Sequence, residues 1–337
     1  MNRYARQQLV PGFGELGQRR LASAHVLVAG VGGLGVPVLQ YLAGAGVGRM
    51  TLVDPDVVAE HNLHRQPLYR MGDVGRVKVH AAADALRALN PEVEVVPVEG
   101  LLNPLNVNGL LDGCSLALDC GDNFAVSYVL SDACLAAGIP LVSASALGME
   151  GYVGGYCGGA PSLRAVFPDL PESAGSCATA GVLGPVVGTI GMMQAQMALS
   201  VLLGLEPSPL GCLLTFDARH WRTSTFRFDE AVEPADHVLR FVAPGEVTSG
   251  DVTIELRGAE EAPVPAVPDA LRMSVQDVQE RFVVPDGARR VVMCCRTGMR
   301  AWRAARGLQA RWPGEIAILA AGDPQPATTG SANDNCT

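Results

Sequence analysis

Short apolar runs alternate with longer stretches of helical spacing from Val26 to Phe228. Val26, Leu27 and Val28 lead directly into Gly30-Val31-Gly32-Gly33-Leu34-Gly35, the pattern of a buried parallel strand closed by a glycine turn. Val36–Ala45 follows with Leu39 and Leu42 at helical spacing and stops at Gly46; Arg49–Val53 is a second strand, closed by Asp54. The same reading predicts a helix over Val77–Leu89, a strand over Val93–Pro97 and a short helix over Pro104–Leu111. A strand over Leu116–Asp119, a helix over Asn123–Ala136 and strands over Pro140–Ser145 and Gly151–Cys157 come next. Gly158–Gly181 is long, irregular and proline-containing, and loops of that length inside a domain are usually functional or mobile. Val182–Leu205 is strongly apolar. Gly184, Pro185, Gly188, Gly191 and Gln194 interrupt it, so it is expected as a buried helix and not a membrane span. Gly211–Phe216 and Thr223–Phe228 close the pattern as strands. Ahead of it all, Asn2–Leu21 is polar and charged, and is expected to be an arm that packs away from the sheet.

Strand, glycine turn, helix, strand and terminal acid together make a nucleotide-binding βαβ unit, so the expected fold is α/β with a Rossmann-like sheet. Side chains in place of Gly30, Gly32, Gly33 or Gly35 would hold the backbone away from a phosphate, and the helix start offers free N–H groups to an anion. Asp54 is placed to accept hydrogen bonds from ribose hydroxyls. On this unit alone an NAD- or FAD-dependent oxidoreductase is the expected class. The loop after Asp54 points elsewhere. It carries Asp56, Asn62, Arg65 and Gln66, and Lys78 opens the next helix from the same side. Arg65 can bind phosphate oxygens in pairs, Lys78 adds a point charge, and two cations meeting a polyphosphate suit phosphoryl or nucleotidyl transfer. Asp122, just past the strand Leu116–Asp119, lies at the ligand edge of such a sheet. It suits a Mg²⁺ ion held with phosphates and water. It equally suits the N-cap of the following helix, and the two roles are compatible.

Composition narrows the class. The 337 residues make one large and one small domain the expected organisation. A net charge of −9 without a basic block argues against nucleic-acid and anionic-membrane partners. Met1–Arg20 is charged throughout and has no signal-peptide core. Nine scattered cysteines suggest reduced thiols in the cytoplasm and not a disulfide framework.

Taken in order, Arg3-Tyr4-x-Arg6-Gln7, Gly30-x-Gly32-Gly33-x-Gly35, Asp54-x-Asp56, Asn62-Leu63-x-Arg65-Gln66, Lys78 and Asp119-Cys120-x-Asp122-Asn123 resemble the MoeB/ThiF family, relatives of the ubiquitin-activating enzymes. Met149-Glu150-Gly151 and Cys177-x-x-Ala180-Gly181-Val182-x-Gly184-Pro185 continue the resemblance, which covers about Asn2–Phe228. It implies a mixed sheet of the ubiquitin-activating-enzyme type and ATP-dependent adenylylation of a small ubiquitin-like sulfur carrier at its C-terminal Gly-Gly. It further implies that Arg65 and Lys78 contact phosphates, that Asp122 lies by Mg²⁺ and the α-phosphate, and that Asp54 holds the ribose. The glycines, Asp56, Asn62 and Asn123 complete the nucleotide site. Arg6 would reach the ATP of a partner subunit, which makes a homodimer. Cys177 has a counterpart that in some members links covalently to the carrier; a packed loop thiol is the other reading. The family's two zinc-binding Cys-x-x-Cys pairs are missing. Ser162 and Ala165 stand where the first would fall, and none follows Trp221, so no zinc is expected. Ser143–Gly148 and Gly184–Gly188 look closer to ThiF than to MoeB, which favours a ThiS-like carrier over a MoaD-like one.

Asp229–Gly250 is polar and proline-containing and is expected as a linker between an adenylyltransferase domain over residues 1–228 and a second αβ pattern over residues 251–322. In the latter, Cys295-x-x-Gly298-x-Arg300 resembles the active loop of rhodanese domains, although the region is short for that fold. Cys295 is therefore either a sulfur-transfer thiol, fed by a donor such as a cysteine desulfurase, or part of a degenerate docking module. Residues 323–337 are expected to be disordered.

Overall fold

A computed structural model describes residues 2–170, 181–234 and 238–322. The chain falls into two units, Met1–Asp236 and His237–Thr337.

In the first unit, His25–Ala29 (β1), Arg49–Asp54 (β2), Glu94–Glu99 (β3), Leu116–Asp119 (β4), Pro140–Leu147 (β5), Glu150–Cys157 (β6), Cys212–Asp217 (β7) and Arg222–Arg227 (β8) form one mixed sheet. Its order is β3-β2-β1-β4-β5-β6-β7-β8. The strands from β3 to β5 are parallel and those from β5 to β8 antiparallel. Val26, Leu27 and Val28 are wholly buried, as an unbroken apolar run in a parallel strand requires. Among the described residues, Gly14–Ser23 (α1), Gly35–Ala45 (α2), Lys78–Leu89 (α3), Val107–Leu111 (α4), Phe124–Ala137 (α5), Leu163–Val166 (α6) and Gly184–Leu203 (α7) are the α-helices. The helix α2 ends where Gly46 turns left-handed at φ 83°.

Helix α7 is long and apolar enough to cross a membrane by length and composition. Here it packs against α2, β5 and β6. Its sealed Gln194 is satisfied within the fold: Nε2 donates to the carbonyls of Asp119 at 2.7 Å and Val142 at 3.1 Å. The N-terminal arm is pinned at the far end of α2. Tyr4 donates to Glu92 at 2.8 Å and its ring covers Gly46, while Gln7 donates to the Ala45 carbonyl at 2.8 Å.

Ser162, in a position where a zinc ligand would have stood, makes a different closure. Its backbone N–H and its hydroxyl both donate to the Glu233 carboxylate at 2.6 Å, and its Oγ accepts from Arg164 N at 3.1 Å. Arg164 in turn makes a two-point ion pair with Asp132 at 2.6 and 2.9 Å and lies 4.6 Å over the Tyr128 ring. Charge-assisted bonds to buried donors join residues 162–164 to α5 and to the end of the unit. Glu233→Ala leaves two buried donors unpaired and is expected to cost about 2 kcal/mol. Differential scanning calorimetry should show that loss, and a zinc chelator should leave the melting temperature of the parent protein unchanged.

The second unit holds Arg240–Phe241 (β9), Asp251–Glu255 (β10), Leu271–Arg272 (β11), Arg290–Cys295 (β12) and Glu315–Ala320 (β13). They form an all-parallel sheet in the order β11-β10-β12-β13-β9. Its helices of regular length are Val275–Glu280 (α8) and Met299–Gln309 (α9). This corrects the linker expected over Asp229–Gly250: Arg240 and Phe241 pair with Ala317 and Ile318, and the two-residue strand is too short to leave a sequence pattern. The connection 256–270 from β10 to β11 carries no helix, and arginines hold it. Arg272 donates to the carbonyls of Arg257 at 2.7 Å and Ala262 at 2.5 Å, and Arg257 forms a buried pair with Glu255 at 2.7 Å.

Candidate functional site

Strand order reverses where β1 lies between β2 and β4, and a doubly wound sheet opens a crevice beyond its strand ends at such a point. A cavity of about 360 Å³ lies there. Gly30, Gly32 and Gly33 line it with Asp54, Asp56, Asn62, Arg65, Lys78 and Asp122. Residues that are far apart in the chain thus come together on one concave surface.

The glycine turn is built for close approach. Gly30 has φ 93°, and a Cβ on it would meet the Cys120 carbonyl and the Gly121 nitrogen at 2.9 Å. A Cβ on Gly35 would overlap the Gly30 carbonyl oxygen. Gly35 therefore packs the turn and is not among the lining residues. The peptide units at Val31 are held from both sides. Val31 N donates to Asp54 Oδ2 at 2.8 Å, and its carbonyl accepts from the buried Tyr69 hydroxyl at 2.7 Å. Asp54 Oδ1 accepts from Asp56 N at 2.8 Å. Each Asp54 oxygen keeps a free acceptor site for a ribose hydroxyl. Burial pushes the Asp54 carboxyl up, against the pull of Lys78 and the two N–H groups.

The cations come from a loop and a helix start. Lys78 has a side chain only 6% exposed, and its Nζ sits 2.8 Å from Asp56 Oδ2. The Lys78 backbone N–H donates to the Asp56 carbonyl at 2.9 Å, which straps the start of α3 to the loop leaving β2. The Asn62 carbonyl accepts from both Arg65 N and Gln66 N at 3.0 Å and winds that loop into a turn. Arg65 Nη1 donates to His64 Nε2 at 2.8 Å and to the His61 carbonyl at 3.3 Å.

Asn123 caps α5, with Oδ1 accepting from Ala125 N at 2.9 Å. This corrects the expected cap: Asn123, and not Asp122, is the N-cap, and its side chain turns back over the helix start. Asn123 is not among the lining residues of the cavity. Asp122 is left exposed on the cavity wall. Its neighbour Asp119 is sealed, accepting from Ser143 Oγ at 2.7 Å, and burial pushes its carboxyl up. Among the described residues no three His, Cys, Asp or Glu side chains are grouped to hold a metal by themselves. A single open carboxylate fits Mg²⁺, which takes its remaining ligands from phosphates and water.

Arg6 is exposed on the arm and is not a lining residue. Cys177 lies outside the described residues. Cys295 belongs to the second unit, at the carboxyl end of the central strand β12. Its buried Sγ accepts from Ala301 N at 3.4 Å. Arg300 of the same loop is held by Glu261 through two bonds of 2.8 and 2.5 Å. The sequence reading missed Cys120, Ser145 and Ala146 as wall residues. Their positions at or just past the carboxyl ends of β4 and β5 are the signal that could have found them.

A mixed sheet with a glycine-floored crevice where its strand order reverses defines an α/β fold of the ubiquitin-activating-enzyme type. The chain belongs to the ThiF family, whose model matches residues 4–235. It is 51% identical over 221 residues to "Adenylyltransferase and sulfurtransferase MOCS3" of Bos taurus, covering 65% of this chain and 49% of that protein. It is 45% identical over 240 residues to "Adenylyltransferase and sulfurtransferase uba4" of Aspergillus fumigatus, covering 67% and 48%. The chain thus spans about half the length of the curated relatives it matches. Among solved structures, E. coli MccB with ATP superimposes with a TM-score of 0.58 at 21% identity, over 71% of this chain and 74% of that one. PaaA gives 0.57 at 23% identity, over 67% and 72%. At these identities the structural likeness concerns the fold.

Proposed function

We propose that the first unit adenylylates the C-terminal carboxylate of a ubiquitin-like sulfur carrier ending in Gly-Gly, with a ThiS-like carrier first and a MoaD-like one next. The observation that supports this best is the convergence of Arg65, Lys78 and Asp122 on one cavity floored by Gly30, Gly32 and Gly33. A carboxylate approaching a triphosphate brings anion to anion, so cations must offset charge where it accumulates. One carboxylate oxygen bonds to the α-phosphorus, the bond from that phosphorus to the bridging oxygen breaks, and pyrophosphate leaves with the electron pair. Arg65 orients phosphate oxygens, Lys78 leaves Asp56 to meet them, and Asp54 positions the ribose. Asp122 would hold Mg²⁺, which when bound neutralises phosphate charge. Arg6 serves the site of the second subunit in a homodimer. The relatives named for both adenylyltransferase and sulfurtransferase activities support a second step, in which sulfur reaches the activated carrier through Cys177 or Cys295; the scattered cysteines favour the cytoplasm as its setting. A cysteine desulfurase is the proposed donor, and the second unit is the proposed rhodanese-like module.

The test is ATP–pyrophosphate exchange with purified ThiS-like and MoaD-like carriers. Exchange should require a carrier with an intact Gly-Gly end, and its absence with every such carrier would overturn the reading. In parallel, ATP·Mg²⁺ should raise the melting temperature and NAD should not. The reverse result would favour the oxidoreductase class that the βαβ unit alone suggests.

A further inference from the structure

In the second unit the ion pairs of Arg257 with Glu255 and of Arg290 with Asp251 are sealed, each side chain being 7% exposed or less. Those pairs serve the fold. The pair of Arg300 with Glu261 stands open, with side chains 38% and 34% exposed. An ion pair so exposed adds little to stability, yet this one is firmly held. Arg300 Nη1 donates to Glu261 Oε2 at 2.8 Å and Nη2 to Oε1 at 2.5 Å, and Nη1 also reaches the Leu256 carbonyl at 3.4 Å. The backbone behind Glu261 is fixed as well. Ala262 N donates to the Gly258 carbonyl at 2.9 Å, and the Ala262 carbonyl accepts from Arg272. Arg300 holds the Glu261 carboxyl below its usual range, so the pair is ionised at neutral pH.

The Arg300 guanidinium also reaches the Cys295 thiol, so its charge bears on whatever approaches that sulfur. A guanidinium with both Nη groups uncommitted is a two-point receptor for a small oxyanion. Thiosulfate is such an anion, a dianion that carries a transferable sulfur. Here both Nη groups are engaged by a fixed carboxylate. The receptor is occupied, and the carboxylate sets a like charge against a dianion. A persulfide donor, R–S–SH, asks less of the site. It brings less negative charge, and its leaving group is a thiolate and not sulfite.

We propose that Glu261 sets the sulfur-donor class of the second unit: by occupying Arg300 it turns thiosulfate away, and Cys295 is loaded from a persulfide. This rests on the reading of Cys295 as a sulfur-transfer thiol and deepens it. In loading, the Cys295 thiolate attacks the outer sulfur of the persulfide. A bond forms between those two sulfurs, the S–S bond of the donor breaks, and the donor thiolate leaves with the electron pair. The outer sulfur keeps its proton, and no further oxidant or reductant is needed. The same attack on thiosulfate would release sulfite.

Glu261→Gln and Glu261→Ala test this in the full chain, with thiosulfate or cysteine persulfide as donor and cyanide as acceptor. Cyanide carbon takes the outer sulfur from Cys295 and returns the thiolate, so thiocyanate formation gives kcat and KM. Mass spectrometry reads the added sulfur on Cys295, with Cys295→Ser as the blank. Freeing Arg300 should lower the KM for thiosulfate about tenfold, the worth of one charge-assisted contact. The ratio of kcat/KM for thiosulfate to that for cysteine persulfide should rise by the same factor. The gain should vanish when Arg300→Ala is combined with Glu261→Ala, because Glu261 acts through Arg300. An unchanged thiosulfate KM in a folded Gln variant would overturn the proposal. So would an unchanged ratio between the donors, or a gain that persists without Arg300. If Cys295 of the parent gains sulfur from neither donor, the sulfur-transfer reading itself fails, and the two failures are thereby distinguished.

Discussion

Lys78→Met is expected to lower carrier-dependent ATP–pyrophosphate exchange by about 10²–10³-fold, the usual cost of removing one preorganised charge donor from a transition state. Methionine keeps the buried stem, since the Lys78 side chain is 6% exposed, and removes only the ammonium. The partner left behind, Asp56, has a side chain 63% exposed and rehydrates without leaving a sealed charge. Folding should therefore survive, and the loss should appear in turnover more than in melting temperature. Arg65→Ala is expected to have an effect of the same order. The double variant should fall below either single one, because the two cations reach the cavity from separate elements, a loop and a helix start. Exchange within a few-fold of the parent in the double variant would remove the basis for the proposed chemistry.

Gly35→Ala is the substitution with the largest expected effect on folding. Its methyl would overlap the Gly30 carbonyl oxygen, and that oxygen belongs to the turn itself. Backbone cannot rotate away as a flexible side chain can, so about 3 kcal/mol is expected, at the upper end for overpacking. For a unit of this size that corresponds to about 6–12 °C in melting temperature. Gly44 of the same helix has open space at its Cβ position, so Gly44→Ala is the control. It should be neutral or stabilise by up to about 1 kcal/mol, since alanine gives up less backbone freedom in a helix. A Gly35→Ala protein that melts with the parent would mean that the turn is not packed as described.

Local pattern predicted the elements around the site to within a residue or two. The helix expected over Val36–Ala45 runs from Gly35 to Ala45, and the strand Leu116–Asp119 is as expected. Departures occur where side chains compete with backbone. The short helix starts at Val107 and not at Pro104, because Asn103 and Asn106 take nearby N–H groups, Leu105 N to Asn103 Oδ1 at 2.9 Å among them. Asn123 wins the cap from Asp122 by a similar local bond.

The amino-acid sequence by itself determined the chemistry on offer: a glycine turn, an acid after the second strand, and Arg65 and Lys78 beyond it. These are local signals, because strand, turn and helix starts are written in consecutive residues. Only the tertiary structure decided which of them meet. That Lys78 rests on Asp56 and that Glu233 closes on Ser162 both depend on sheet order and on the approach of distant segments. Such pairings are non-local, and no window of consecutive residues encodes them.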